Sequence, residues 1–155
     1  MMITPEITAF IVKAKTNTWN DNRQASLSYR PGSRDLQYHE ADLSYMDSYF
    51  GNVDFLGQEV VWRKNLPIWT MNYYGRILRP DLYSGAQAGT TSQIGRGQIY
   101  KWNTFLGKYM FVLEHSTFFT ETKGDVSSFS GSEWHEINGV VVYRFDFHGG
   151  QVLFD

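Results

Sequence analysis

Hydrophobic positions in the first fifteen residues fall at helical spacing. Ile7, Phe10, Ile11 and Ala14 recur every three or four residues behind Thr4-Pro5-Glu6, an N-cap followed by proline at the first helical position, so residues 7–15 are predicted to form a short amphipathic helix. Residues 16–34 lose the pattern and close in the turn cluster Arg30-Pro31-Gly32-Ser33, with 25–29 a candidate edge strand. The period then changes to two. Strand-like runs at 36–40 and 43–50 flank Ala41-Asp42, and runs at 59–63 and 67–74 flank residues 64–66, which predicts two hairpins. Residues 83–97 turn to Gly, Ala, Ser, Thr and Gln with no apolar period and read as a loop or a poorly specified helix, and 99–106 as one helical turn or two. Strands resume at 109–119, 126–130, 133–137 and 140–147. Asn138-Gly139 between the last two is the strongest hairpin signal in the chain, because both residues tolerate the positive φ of a type I′ turn.

A displacement of 74 residues brings Phe55-x-Gly57-x-Glu59 onto Phe129-x-Gly131-x-Glu133, and Trp69-x-Met71-Asn72-Tyr73-x-Gly75 onto Tyr143-x-Phe145-Asp146-Phe147-x-Gly149. The matches respect strand alternation, which makes 1–80 and 81–155 a candidate pseudo-repeat of one helix and about four strands, with Phe10-Ile11-x-Lys13 and Phe105-Leu106-x-Lys108 as candidate equivalents. The rival explanation is that two G-x-E hairpins look alike. A regular two-residue turn at Asn138-Gly139 places Glu133 opposite Arg144 and Trp134 opposite Tyr143. Trp134, Val141, Tyr143, Phe145 and Phe147 then share the core face, and Glu133, His135, Arg144, Asp146 and His148 the other. In the first half Trp62, Trp69, Met71 and Tyr73 share a face against Glu59, Thr70, Asn72 and Tyr74.

Length and composition narrow the function classes. A chain of 155 residues without cysteine is expected to be a single domain, 1–155, with no disulfide, thiolate metal site or cysteine nucleophile. Fourteen basic against 16 acidic residues leave no basic footprint for a nucleic acid, and no apolar run approaches a membrane span. Residues 1–15 lack a signal-peptide pattern, so a cytoplasmic location is expected. The four histidines lack H-E-x-x-H spacing, Asp146 and His148 being the nearest to a ligand pair, and no P-loop, dinucleotide fingerprint or nucleophile elbow occurs; no metal, cofactor or catalytic set is assigned.

The unusual features are aromatic and acidic. Residues 35–59 hold six acids and no Lys or Arg, interleaved with Tyr and Phe. Counting by two across the Ala41-Asp42 turn puts Tyr38, Glu40, Tyr45, Asp47 and Tyr49 on one face. A carboxylate among rings can hold a cationic or polyhydroxylated ligand, and desolvation raises its pKa toward useful acid–base values. The structural alternative is that Glu40 and Asp47 accept hydroxyl or backbone bonds, or pair with Arg30 or Arg34. The segment 76–108 carries five basic groups to one acid and could close over the acidic stretch.

Several motifs together resemble a widespread bacterial family of domains of unknown function: Arg30-Pro31-x-Ser33-x-Asp35-Leu36-x-Tyr38-x-Glu40, Tyr45-x-Asp47-x-Tyr49-x-Gly51, Phe55-x-Gly57-x-Glu59, Pro67-x-Trp69-x-Met71-Asn72-Tyr73-x-Gly75 and His148-Gly149-Gly150. The resemblance covers 9–79 and 124–150 and departs at 81–106, where such domains show a more apolar, helix-like stretch. It implies, by analogy with members fused behind XRE-type helix-turn-helix regulators, an effector-sensing role.

The expected fold is α+β, with antiparallel meanders forming a curved sheet and one or two helices packed on it. The expected function is a small-molecule-binding or sensing module with Tyr38, Glu40, Tyr45, Asp47, Glu59, Trp69, Asn72 and Tyr74 as ligand-binding candidates. Two other classes stay open: a small hydrolase or isomerase using Asp47 or Glu59 as acid–base group, with His148 as a further candidate, and a protein-interaction domain that pairs with a second copy of itself.

Overall fold

The computed structural model describes residues 3–19 and 29–154. The candidate strand at 25–29 lies, but for its last residue, outside them. Helix α1 (Pro5–Asn17) starts where Thr4 Oγ1 accepts the Ile7 amide, with Pro5 in the first turn and Lys15 in the last. Four strands follow: β1 (Arg34–Glu40), β2 (Leu43–Gly51), β3 (Phe55–Arg63) and β4 (Leu66–Ile77). Helix α2 (Gly85–Tyr100) precedes four more: β5 (Lys108–Val112), β6 (Thr117–Asp125), β7 (Ser128–Ile137) and β8 (Val140–Gln151). All eight strands form one antiparallel sheet in the order β1-β2-β3-β4-β8-β7-β6-β5, so the fold is α+β as the chain pattern predicts. The core lies between the helices and one face of the sheet, and includes Ile7, Ile11, Tyr45, Val61, Trp69, Tyr143 and Phe145.

Each half runs helix then four-stranded meander, and β4 and β8 join the halves edge to edge. Tyr73 pairs with Phe147, the residue 74 positions later, so the pair occupied by each other's sequence equivalents marks a pseudo-two-fold axis. The turns match as well. Lys64-Asn65 and Asn138-Gly139 both have positive φ, at 48° and 69° and at 50° and 76°.

Both hairpins then carry the same irregularity. The register shifts between Val61 and Trp62 in one and between His135 and Glu136 in the other, leaving Ile68 and Val142 as the extra residues. Their carbonyls are used across the axis: the Leu78 amide donates to Val142 O at 2.8 Å, and the Val152 amide to Ile68 O at 3.0 Å.

These bulges correct the predicted faces. Glu133 lies opposite Phe145, and Trp134 opposite Arg144, so Glu133 and His135 point to the core and Trp134 to the outer face. Glu59 likewise lies opposite Met71 and is buried. One inserted residue reverses every side chain beyond it, and two-residue turn chemistry gives no warning of that.

Other departures are local. Residues 85–100 are a regular helix, opened by a capping box in which Ser84 and Gln87 each bond the other's backbone. The Phe105-Leu106-x-Lys108 segment follows α2 and is not the partner of α1. The run at 109–119 is interrupted between Val112 and Thr117, and the runs at 126–130 and 133–137 join, from Ser128 on, in the one strand β7, with Val126 and Ser127 in the turn before it.

Glycines of the repeated motif make room for rings. A Cβ on Gly75 would meet Phe55 Cζ at 2.5 Å, and one on Gly149 would meet Phe129 Cζ at 2.9 Å and the Thr70 carbonyl at 2.3 Å. Gly149→Ala is therefore expected to destabilise the fold by about 1–3 kcal/mol, since backbone must move. Gly89→Ala in α2 meets nothing within 4 Å and is expected to stabilise by up to about 1 kcal/mol. Urea unfolding of the two variants checks the opposite signs.

Candidate functional site

Between the helices and the inner face of the sheet lies a cavity of about 400 Å³, over the pseudo-two-fold axis, with Tyr73 and Phe147 in its wall. Each half brings a cation from its helix to the glutamate of its third strand. Lys15 of α1 stands 2.5 Å from Glu59 Oε2, and Arg96 Nε of α2 stands 2.6 Å from Glu133 Oε2. Lys15 continues the stripe of Ile7 and Ile11 at four-residue steps, which places its ammonium under the helix, 4.9 Å from the Phe105 ring centre.

The halves differ around these pairs. On the first side Asp47, which shares its ladder row with Glu59, accepts the Tyr73 hydroxyl. Burial and the neighbouring Glu59 push the Asp47 carboxyl up to about 7, against Tyr73, Lys15 and Arg96, which favour its charge. The corresponding row on the second side holds Thr120 and Glu133. Glu133 also accepts Ser92 Oγ and lies 3.1 Å from His135 Nε2. Burial alone would raise Glu133, but Arg96 and His135 overrule it and hold the carboxyl at about 2.

Behind this group the Tyr83 hydroxyl touches Thr91, Ser116 and, at 3.2 Å, His135 Nδ1. The Arg96 guanidinium lies 4.3 Å from the Phe145 ring centre and 4.6 Å from that of Trp19. Its Nη2 is buried and has no hydrogen-bond partner among the described residues.

Of the eight candidates read from the sequence, the structure brings Tyr45, Asp47 and Glu59 to the cavity wall. Trp69 is fully buried in the core, donating to the Val126 carbonyl and stacked on Phe129. Tyr38 and Glu40 lie on the edge strand β1, where Glu40 binds Lys13 and the Tyr38 hydroxyl. Asn72 and Tyr74 sit on the opposite, helix-free face, in a wider hollow where Asn72 contacts Gln58 and His148. Asp146 and His148 share that face, and Asp146 is held by Arg144 and Ser132. Among the described residues no group of three His, Asp or Glu side chains is placed to hold a metal.

Sequence reasoning missed Lys15, Ser92, Arg96 and Glu133. The repeat carried a usable signal, since Glu133 is the counterpart of Glu59. In α2 the buried positions Ala88, Thr91, Ser92, Gly95 and Ile99 do keep helical spacing, but all except Ile99 are small or polar, so they show no apolar period.

The architecture is thus that of an α+β domain with two helix-plus-meander halves around a charged inner cavity. A family model described as "Domain of unknown function (DUF5680)" matches residues 47–152, and the chain belongs to that family. The match runs through 81–106, where the resemblance noted above departs, and it starts after the Arg30-Pro31 motif. Comparison with curated proteins and with solved structures gave no match. No helix of the described residues is long and apolar enough to cross a membrane.

Two outcomes follow from the charges. Asp47 is protonated in the folded state up to about pH 7 but only to about 4 in the unfolded chain, so the native state binds the extra proton and loses stability as pH rises through that window. Asp47→Asn should remove this loss, so that the melting-temperature difference between variant and native protein grows by a few degrees from pH 5 to pH 8. Arg96→Leu leaves Glu133 buried without its cation and should cost about 3–5 kcal/mol in denaturant unfolding near pH 7. Its deficit should shrink toward pH 4, where the Glu133 carboxyl, freed of Arg96, takes up a proton.

Proposed function

We propose that the chain is a small-molecule-binding module whose ligand occupies the cavity between the two helices and the sheet. The observation that carries this is Arg96 Nη2, a buried guanidinium donor on the cavity wall with no acceptor among the described residues. Leaving such a donor bare costs a few kcal/mol, and an incoming oxygen relieves it. The volume, the ring-lined wall and the few convergent polar groups suit a ligand of modest size.

The reading extends to a single domain built on a pseudo-repeat of 1–80 and 81–155, with the ligand at the seam. Effector sensing, which the resemblance to domains fused behind helix-turn-helix regulators implies by analogy, is the physiological use proposed for this site, together with a cytoplasmic location. Asp47, poised near neutrality beside Glu59, favours one second reading, general acid–base catalysis on a bound substrate.

A thermal-shift screen of cationic and polyhydroxylated small molecules tests the binding reading. A ligand at 100 times its dissociation constant adds about 2.7 kcal/mol and should raise the melting temperature by several degrees. Gly89 borders the cavity, with open space where a side chain would begin, so Gly89→Phe should abolish the shift while leaving both ion pairs in place. Hits that stabilise Gly89→Phe as well as the native protein, or a screen with no hits, would overturn the reading. Chemical change of a hit, lost in Asp47→Asn, would establish the catalytic one.

A further inference from the structure

The cavity wall carries an uneven charge count. Lys15 is matched by Glu59 and Arg96 by Glu133, each at ion-pair distance, which leaves Asp47 as the fifth charged group on the wall. Asp47 faces Lys15 from α1, Glu59 from β3, Tyr73 from β4, Arg96 and Tyr100 from α2, and Tyr45 along its own strand. When ionised it gives the wall a net charge of one negative unit; protonated, it leaves the wall neutral. Both states are accessible, because the carboxyl titrates near neutrality.

Arg96 supplies the second constraint. Its guanidinium is held by Glu133 on one edge, lies against the Trp19 and Phe145 rings and has the Tyr143 hydroxyl beside it, while Nη2 has no hydrogen-bond partner among the described residues, so an acceptor oxygen in the cavity would complete it. Two of the three carboxyl groups on the wall are already matched by Lys15 and Arg96, so an anionic acceptor would meet one net negative charge whenever Asp47 is ionised, which disfavours it. A neutral carbonyl or hydroxyl oxygen satisfies Nη2 without that repulsion. The rings of Tyr49, Phe55 and Phe105 line the remaining space and suit an apolar body or the face of a cation.

Resting on the ligand-binding reading above, we infer that the cavity takes a small organic monocation: an amine on an apolar or aromatic body, whose own hydroxyl or carbonyl oxygen accepts from Arg96 Nη2 while its ammonium pairs with Asp47. As the ammonium arrives, the Asp47 O–H bond breaks and its proton passes to solvent, so the occupied wall is neutral. Below about pH 7 binding must also drive that release, so affinity rises with pH until the ligand's own ammonium begins to lose its proton.

A matched series isolates the charge: phenylalaninol as the monocation, 3-phenylpropan-1-ol as the neutral alcohol and 3-phenylpropionate as the anion, on one phenylpropyl skeleton. Titration calorimetry is run at pH 6 and pH 8, in two buffers of different ionisation enthalpy. Phenylalaninol should bind at least about tenfold tighter than the alcohol at pH 8, more weakly at pH 6, with fractional release of a proton that falls toward zero at pH 8. Asp47→Asn should erase both the preference and the release. Equal binding of amine and alcohol, tighter binding of the propionate, a preference that survives in Asp47→Asn, or no binding by any of the three overturns the inference. Binding with the wrong charge order that Gly89→Phe blocks would leave the cavity as a ligand site of another class, whereas binding unaffected by Gly89→Phe would remove the cavity reading itself.

Discussion

One extra residue in each central hairpin organises the inner half of this protein. Ile68 and Val142 are the bulged residues, and without them Glu59 and Glu133 would point to the helix-free face. With them, two carboxylates enter a core built mainly of aliphatic and aromatic side chains, and each must meet a cation. The helices provide it: Lys15 and Arg96 fix which face of α1 and α2 turns inward. The bulges are themselves held by cross-axis hydrogen bonds from Leu78 and Val152. Strand pairing, helix orientation and cavity charge are therefore one connected arrangement.

Buried ion pairs contribute little net stability over apolar packing of the same volume, since desolvation offsets their attraction. Their effect here is positional. An apolar helix stripe can rotate or slide by a residue at modest cost, whereas a lysine or arginine beneath the sheet has one carboxylate to reach. α2 shows the consequence. Its inner face is small and polar, Gly95 lets the Phe118 ring approach, and the helix is held by Ser92 and Arg96 on Glu133 as much as by packing.

Much of the outline was legible in the sequence, and what escaped has identifiable causes. Thr4-Pro5 announced α1, Asn138-Gly139 announced its turn, and the F-x-G-x-E repeat exposed the two central hairpins. The common face of Tyr45 and Asp47 followed from strand alternation because β1 and β2 pair without a bulge. Glu59, Glu133 and His135 were put on the wrong face because a bulge leaves no mark in residue type. α2 reads in the sequence only as a loop or a poorly specified helix because its buried positions, Ile99 apart, are Ala, Thr, Ser and Gly, and its capping box, Ser84 with Gln87, was the signal overlooked. Half of the candidate site thus hid behind a helix without hydrophobic contrast and a strand read one residue out of step.

The pseudo-two-fold axis has a consequence for recognition. A cavity on a true dyad offers any asymmetric guest two equivalent orientations and cannot tell its ends apart. Here the relation is broken at one place in particular: Asp47 and Tyr73 on one side correspond to Thr120 and Phe147 on the other, so the carboxyl and the hydroxyl that serves it are absent together from the second half. The two halves repeat the shape of the cradle while its polarity is one-sided, and a guest with a distinct head and tail would have a single way to lie in it.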